Sequence, residues 1–206
     1  FKIQKKQSIV VCSIGDGATS KGDFYEAINF ACVHQLNILF LINNNGWAIS
    51  TERHQQSAID NMAEKFSPIG CQAHAVDGND AVAMCEVLHA SFTTMRRQPR
   101  THLIDAHCFR LCDHPSVDDR RRYMPQSDFE AAQACEPIDR LRRFLTHNGY
   151  WDASLEQQHA QTIQDALASA IDELNAPCSP YQPGQHVYHG PCRHINRIQQ
   201  HEVHFD

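Results

Sequence analysis

Two short apolar runs, each closed by a polar turn, constrain this chain more than any other feature. Ser8 to Ile14 reads SIVVCSI and ends on Gly15-Asp16-Gly17. Ile38 to Ile42 reads ILFLI and ends on Asn43-Asn44-Asn45-Gly46. Short apolar runs rich in β-branched residues fit strands buried on both faces, as in a parallel sheet. Between them, Ser20 and Asp23 offer a capping box, and Phe24, Ile28 and Ala31 form a helical stripe reaching about Gln35. The same alternation continues. A short helix is predicted over Ser57 to Phe66, stopped by Pro68 and Gly70, and a third strand over Cys71 to Val76. Asp80 to Met95 reads as a helix with Val82, Cys85, Leu88 and Phe92 along one side, and Thr101 to Phe109 as a fourth strand. Arg110 to Gln126, with Pro115 and Pro125, reads as a long polar loop, followed by helices near Pro137–His147 and Ser154–Asn175. The expected fold is α/β, a mostly parallel sheet flanked by helices.

In such sheets ligands bind beyond the carboxyl ends of the strands. Three polar clusters stand at such ends: Asp16, Asn43 to Asn45, and the loop carrying His114. One carboxylate and one amide oxygen, each fixed at a strand end, suit a hard cation such as Mg²⁺, which completes its shell with phosphate oxygens and water. The glycines let backbone approach a phosphate, and the following helix N-terminus offers N–H groups. The residues therefore predict a magnesium–diphosphate cradle. Taken alone, Gly-Asp-Gly and the asparagines would be ordinary turn residues; their common setting and spacing argue otherwise. His107, Cys108, Cys112 and His114 fit no structural-zinc spacing.

Composition narrows the class. The formal net charge is −6, which argues against a nucleic-acid binder, although seven of the thirteen Arg lie between Arg96 and Arg122. No apolar run is long enough for a membrane span, and no secretory leader is visible. Nine cysteines without a CxxC read as reduced thiols. After Ala176 the chain holds five His and four of the nine Pro, and is expected to form an extended, poorly packed tail over 176–206.

Gly15-Asp16-Gly17, a spacer of 26 residues and Asn44-Asn45 match the thiamine diphosphate fingerprint. The wider strings GDGATSKGDFYEAINFA, INNNGWAIST, AVDGND, DAHCFR, CDHPSVDDRRRY and EPIDRLRRFLTHNGYW resemble the alpha subunit of thiamine-dependent 2-oxo acid dehydrogenases, over roughly residues 8 to 175. The resemblance implies a thiamine diphosphate-binding fold over 1–175, incomplete at its N-terminus. It implies that Asp16, Asn45 and the backbone carbonyl of Trp47 hold Mg²⁺. Gly15, Gly17 and Ala18 would lie against the diphosphate, Ile49 near the cofactor, and His114 on the thiazolium side as the catalytic histidine of acyl transfer to lipoamide. It further implies a beta subunit in an alpha2-beta2 heterotetramer, and a lipoyl-bearing acyltransferase.

The expected reaction is oxidative decarboxylation of a 2-oxo acid, pyruvate ahead of branched-chain acids. The expected compartment is the bacterial cytoplasm, or the mitochondrial matrix in a eukaryote. A truncated, inactive copy and an acetoin-cleaving thiamine enzyme are the alternatives. Four positions depart from the family pattern. Asn43 stands where branched-chain relatives often carry Arg, Asp113 precedes the histidine, Pro115 follows it where Ser or Thr is common, and Met124 follows Tyr123 where Arg is often repeated.

Overall fold

The computed structural model describes residues 8–175, so the expected tail over 176–206 lies outside the described residues. The chain divides into two compact units, one ending at Trp151 and one beginning at Asp152. The first contains β1 (Val10–Gly15), α1 (Gly22–Val33), β2 (Ile38–Asn44), a small hairpin of β3 (Trp47–Ala48) and β4 (Thr51–Glu52), α2 (Met62–Phe66), β5 (Gln72–Asp77), α3 (Ala81–Arg97), β6 (His102–His107), α4 (Gln126–Ala134) and α5 (Pro137–His147).

β1, β2, β6 and β5 form one parallel sheet in that order, which bears out the α/β expectation. The β1-to-β2 crossover moves toward one edge of the sheet and the β5-to-β6 crossover moves back. Right-handed crossovers in opposite directions place α1 and α3 on opposite faces. Packing follows the period of two along each strand. Phe40, Ile42 and Leu103 meet Phe24, Ile28 and Ala31 of α1 and Met62, Ala63 and Phe66 of α2. Leu39 and Ile104 meet Met95, Leu88 and Phe92 of α3. On the α1 face Phe24 stands edge-on to both Phe40 and Phe66, with ring centroids 5.6 and 5.0 Å apart.

Several local expectations are corrected. Ser20 does not cap α1; its hydroxyl donates to Gln56 O at 3.3 Å, because the chain leaves β1 through a 3-10 turn, Asp16–Ser20, and α1 starts only at Gly22. Only Met62–Phe66 of the 57–66 segment is α-helical. Its cap is Asn61, whose Oδ1 accepts from Ala63 N and Glu64 N at 2.9 and 3.3 Å. Asp80 is the cap of α3 and not its first residue, accepting from Val82 N and Ala83 N. The inward face of α3 runs through Leu88, Ser91, Phe92 and Met95, while Val82 and Cys85 are exposed. The β3–β4 hairpin and α4 were not expected. Each hairpin strand is two residues long, too short to show a period, and α4 lies just past the polar loop.

α5 is fastened by Arg140, which donates to Asp77 at 2.5 Å and Asp80 at 2.7 Å. Partial burial raises the Asp77 pKa, but the Arg140 guanidinium, the Asn79 amide and the charge of His107 together outweigh it and hold the carboxyl below its ordinary value. In the second unit, α6 (Ala153–Asn175) starts with Asp152 accepting from Leu155 N at 2.8 Å, and carries Ile163, Leu167 and Ile171 exposed at helical spacing.

His102, at the start of β6, is fully buried, and neither ring nitrogen has a hydrogen-bond partner among the described residues. Burial, aided by the charges of His74 and Arg100, pushes its pKa down to about 4. The folded chain thus holds it neutral, while the unfolded chain protonates it near pH 6.5. Its contribution to stability is complete above about pH 6.5 and is lost as pH falls toward 4. In urea unfolding, His102→Gln should therefore gain stability relative to the parent as pH drops from about 7 to about 4.5. A difference that stays constant with pH would refute this.

Candidate functional site

The first component is Asp16. β1 ends at Gly15, and the chain turns at once into the 3-10 segment, which Thr19 pins by donating Oγ1–H to Asp16 O at 2.6 Å. Asp16 is 3% exposed, and among the described residues neither of its buried carboxylate oxygens has a hydrogen-bond partner. Burial raises its pKa; the nearby amides of Asp16, Asn45 and Gly17 and the charge of Arg53 offset only part of that rise. An unpaired buried carboxylate is costly, and a bound cation removes the cost.

β1 and β2 pair in parallel with Gly15 opposite Asn43, so the Gly-Asp-Gly turn and the asparagine turn lie side by side. The two asparagines do different work. Asn44 is 1% exposed and points into the α2 face, where Nδ2 donates to Asp105 Oδ1 at 2.9 Å and Oδ1 accepts from Arg53 Nη1 at 2.9 Å. Asn45 is half-buried, and its Oδ1 accepts from Trp47 N at 3.0 Å, which leaves that oxygen a second lone pair. Gly46 follows at φ +77°, a conformation that suits glycine.

The hairpin tip carries the strain. Ile49 has φ +56°, the left-handed region, where a β-branched residue is rare and costs about 1–2 kcal/mol. Its carbonyl is held by Arg110 Nη2 at 2.9 Å, and its side chain is half exposed. Gly17 packs against this hairpin: a Cβ there would stand 2.5 Å from Ala48 Cβ.

β6 supplies the floor. Asp105 is fully buried and accepts from Asn44 Nδ2, from Met62 N at 2.7 Å, and lies 3.0 Å from His107 Nε2. The bond to Asp105 raises the His107 pKa against the opposing effect of burial. Cys108 follows, its thiol pushed up to about 11 by burial and by the charges of Asp16 and Asp105. It is a protonated thiol rather than a nucleophile.

The 110–123 loop is tied to the hairpin. Arg110 donates to Ile49 O and to Tyr123 Oη at 2.7 Å, Tyr123 donates to Asp118 Oδ2 at 2.6 Å, and the Trp47 and Tyr123 rings lie 5.4 Å apart. The Tyr123 hydroxyl and the His114 amide hold the Asp118 carboxyl below its ordinary pKa. His114 donates its backbone amide to Asp118 at 2.8 Å and leaves its imidazole exposed, with no hydrogen bond among the described residues. Asp113 accepts from Arg120 N at 3.0 Å, so its carboxylate serves the loop turn. Met124, where relatives often repeat Arg, is buried.

The structure thus brings Asp16, Gly17, Asn45 and Trp47 to one corner of the sheet. Gly15 and Ala18 are exposed beside them, and Ile49 joins through the hairpin. His114 belongs to a loop that touches the same hairpin, with its side chain in solvent. The helix N-terminus expected at the cradle is absent there, since the 3-10 turn intervenes. Sequence reasoning missed Arg53, Asp105, His107 and Arg110. Asp105 alone carried a signal, being a charge inside the apolar run HLIDAH. Among the described residues no three His, Cys, Asp or Glu side chains gather to hold a metal; the set built on Asp16 has one carboxylate. Asp16 fits a cation nonetheless, by its two unpartnered oxygens.

The model of the dehydrogenase E1 component family matches residues 1–181. The chain is 36% identical over 172 residues to the 2-oxoisovalerate dehydrogenase subunit alpha 2, mitochondrial, of Arabidopsis thaliana, covering 83% of this chain and 36% of that protein. It is 36% identical over 169 residues to the 3-methyl-2-oxobutanoate dehydrogenase subunit alpha of Mycobacterium tuberculosis, covering 81% and 46%. It is 32% identical over 171 residues to the pyruvate dehydrogenase E1 component subunit alpha of Mycoplasma pneumoniae, covering 83% and 48%. The chain belongs to the dehydrogenase E1 component family. It spans less than half the length of these relatives.

Gly17→Ala should destabilise the chain by about 1–3 kcal/mol through overpacking against Ala48, and Ala48→Gly should recover much of that loss. Denaturant unfolding of the two single variants and the double variant checks it. Additive losses would show that Gly17 is not fixed by this contact.

Proposed function

We propose that this chain supplies the magnesium–diphosphate side of the thiamine diphosphate site of a 2-oxo acid dehydrogenase. The observation that carries the proposal is the Asp16 carboxylate, buried with both oxygens unpartnered among the described residues and set beside the asparagine turn. Asp16 and Asn45 side chains, with the Trp47 carbonyl, would hold Mg²⁺. Gly15, Gly17 and Ala18 would face the diphosphate, and Ile49 the cofactor ring system. Thiamine diphosphate, when bound, supplies the nucleophilic carbon and the electron sink of 2-oxo acid decarboxylation.

The chain's own residues bind, orient and exchange protons. The parallel pairing of Gly15 with Asn43 fixes the cradle's two sides, and the Arg110–Ile49 bond fixes the hairpin over it. His114 is assigned to proton transfer during acyl transfer to a lipoyl group, which its exposure on the loop supports. The partners are a beta subunit, in an alpha2-beta2 assembly, and a lipoyl-bearing acyltransferase. Pyruvate is favoured by GDFYEAINFA and CFR, with branched-chain 2-oxo acids next. The compartment is the bacterial cytoplasm or the mitochondrial matrix.

A second reading, an inactive copy that folds and binds a partner, draws on Asn43. Its amide donates to Ser13 Oγ at 3.3 Å and offers no positive charge to a phosphate.

Mixing the chain with a family beta subunit, Mg²⁺, thiamine diphosphate and pyruvate should restore decarboxylation. Asp16→Ala should lose metal-dependent cofactor binding and activity by about 100-fold or more. His114→Ala should keep cofactor binding and lose acyl transfer to lipoamide by about 100-fold. Cofactor binding indifferent to Asp16 would refute the cradle. Unchanged acyl transfer would remove His114 from the reaction.

A further inference from the structure

A thiamine diphosphate ester carries about three negative charges at neutral pH, and Asp16 adds one; a single Mg²⁺ leaves roughly two unmatched. Some fixed cation must face the cradle. Asn43 cannot be it, because its amide is on the opposite face of β2 from Asn44 and is bonded to Ser13.

Arg53 is placed for the task. Its backbone amide donates to Gly46 O at 2.8 Å, which fixes it to the asparagine turn. Its Nη1 donates to Asn44 Oδ1 at 2.9 Å and its Nε to Asp60 Oδ1 at 3.4 Å, while Nη2 has no partner among the described residues. The Arg53 side chain is 24% exposed, so it is largely held in place yet open to a ligand. Asp60, its one acidic partner among the described residues, has a side chain 72% exposed, and an ion pair of that kind is weak. Asp105 does not compete, since Asn44, Met62 N and His107 already occupy it. Through Asn44 the guanidinium sits at the end of β2, the strand that lies between β1 and β6, and its charge is felt at both Asp16 and His107.

We infer that Arg53, held by Asn44 and Gly46, is the diphosphate-binding cation of this chain, with Nη2 directed at the phosphate oxygens that Mg²⁺ leaves free. This rests on the cradle proposed above. It also gives Asn44 a purpose distinct from that of Asn45. Asn45 serves the metal, and Asn44 couples the buried Asp105 to the arginine that serves the phosphate. Arginine suits the role because its fork can hold Asn44 with one nitrogen and an anion with another.

The test uses the whole chain, with Mn²⁺ as the metal and inorganic pyrophosphate as the probe. Mn²⁺ binding is read by electron paramagnetic resonance, and metal-dependent pyrophosphate binding by calorimetry. Arg53→Gln should weaken pyrophosphate binding about tenfold or more and leave Mn²⁺ binding without pyrophosphate within about twofold. Arg53→Lys should recover part of the pyrophosphate affinity, since it restores the charge without the fork. Pyrophosphate affinity in Arg53→Gln equal to the parent would overturn the assignment. An equal loss of Mn²⁺ and pyrophosphate in Arg53→Gln and Arg53→Lys would also overturn it, by showing that Arg53 only shapes the turn. Asp16→Ala separates the underlying reading: pyrophosphate binding that ignores both Asp16 and metal, yet falls in Arg53→Gln, would sink the cradle and leave an Arg53 anion site. A parent chain that binds no pyrophosphate would overturn both.

Discussion

A carboxylate buried without a partner is the constraint on which the site depends. Asp16 stands at the end of β1 with two buried oxygens that no donor among the described residues satisfies. Burial alone resists its ionisation, and the partial compensation from nearby amides and Arg53 leaves it raised. A residue of that kind lowers stability unless something charged sits beside it. The fold accepts the cost at the place where a parallel sheet presents its strand ends to ligands.

Around Asp16 the chain is over-determined. Gly17 abuts Ala48, Ile49 is held at positive φ by Arg110, Trp47 stacks near Tyr123, and Asn44 is locked between Arg53 and Asp105. Strain such as that at Ile49 persists only where neighbours enforce it. The neighbours here come from three separate strand ends, so the turn after β1, the hairpin after β2 and the loop after β6 support one another. In the proposed function these turns would hold the cofactor, while His114, exposed on the loop after β6, would meet the acyl carrier.

Much of this was legible in the chain. ILFLI became the buried strand β2, and Phe24, Ile28 and Ala31 became the buried face of α1, because burial in a parallel sheet leaves a plain mark on composition. SIVVCSI became β1, but at the edge of the described sheet, with Val10 and Val11 exposed and only Cys12 and Ile14 packed against the α1 face, so it is not the strand buried on both faces that its composition predicts. The spacing between Gly17 and Asn44 placed Asp16 and Asn45 together. What was not legible depended on non-local geometry. Ser20 looked like a cap, yet a 3-10 turn removed it from the helix start. The α3 stripe was displaced because α3 packs through Leu88, Phe92 and Met95, and the turn bearing Val82 and Cys85 faces outward. Asp105 and Arg53 lie far apart in sequence from Asp16, and only the pairing of β2 with β6 brings Asp105 to Asn44. Ile49 gave no warning, since nothing in an isoleucine predicts positive φ.

The most direct test of the account is the titration of Asp16 itself, read from its side-chain carboxyl carbon by NMR in the chain without metal and then with Mg²⁺. The Asp16 carboxyl should titrate above its ordinary range without metal and shift clearly downward with Mg²⁺, as the cation takes the proton's place. An Asp16 that titrates at its ordinary value and ignores Mg²⁺ would contradict the claim that this buried carboxylate is a metal ligand.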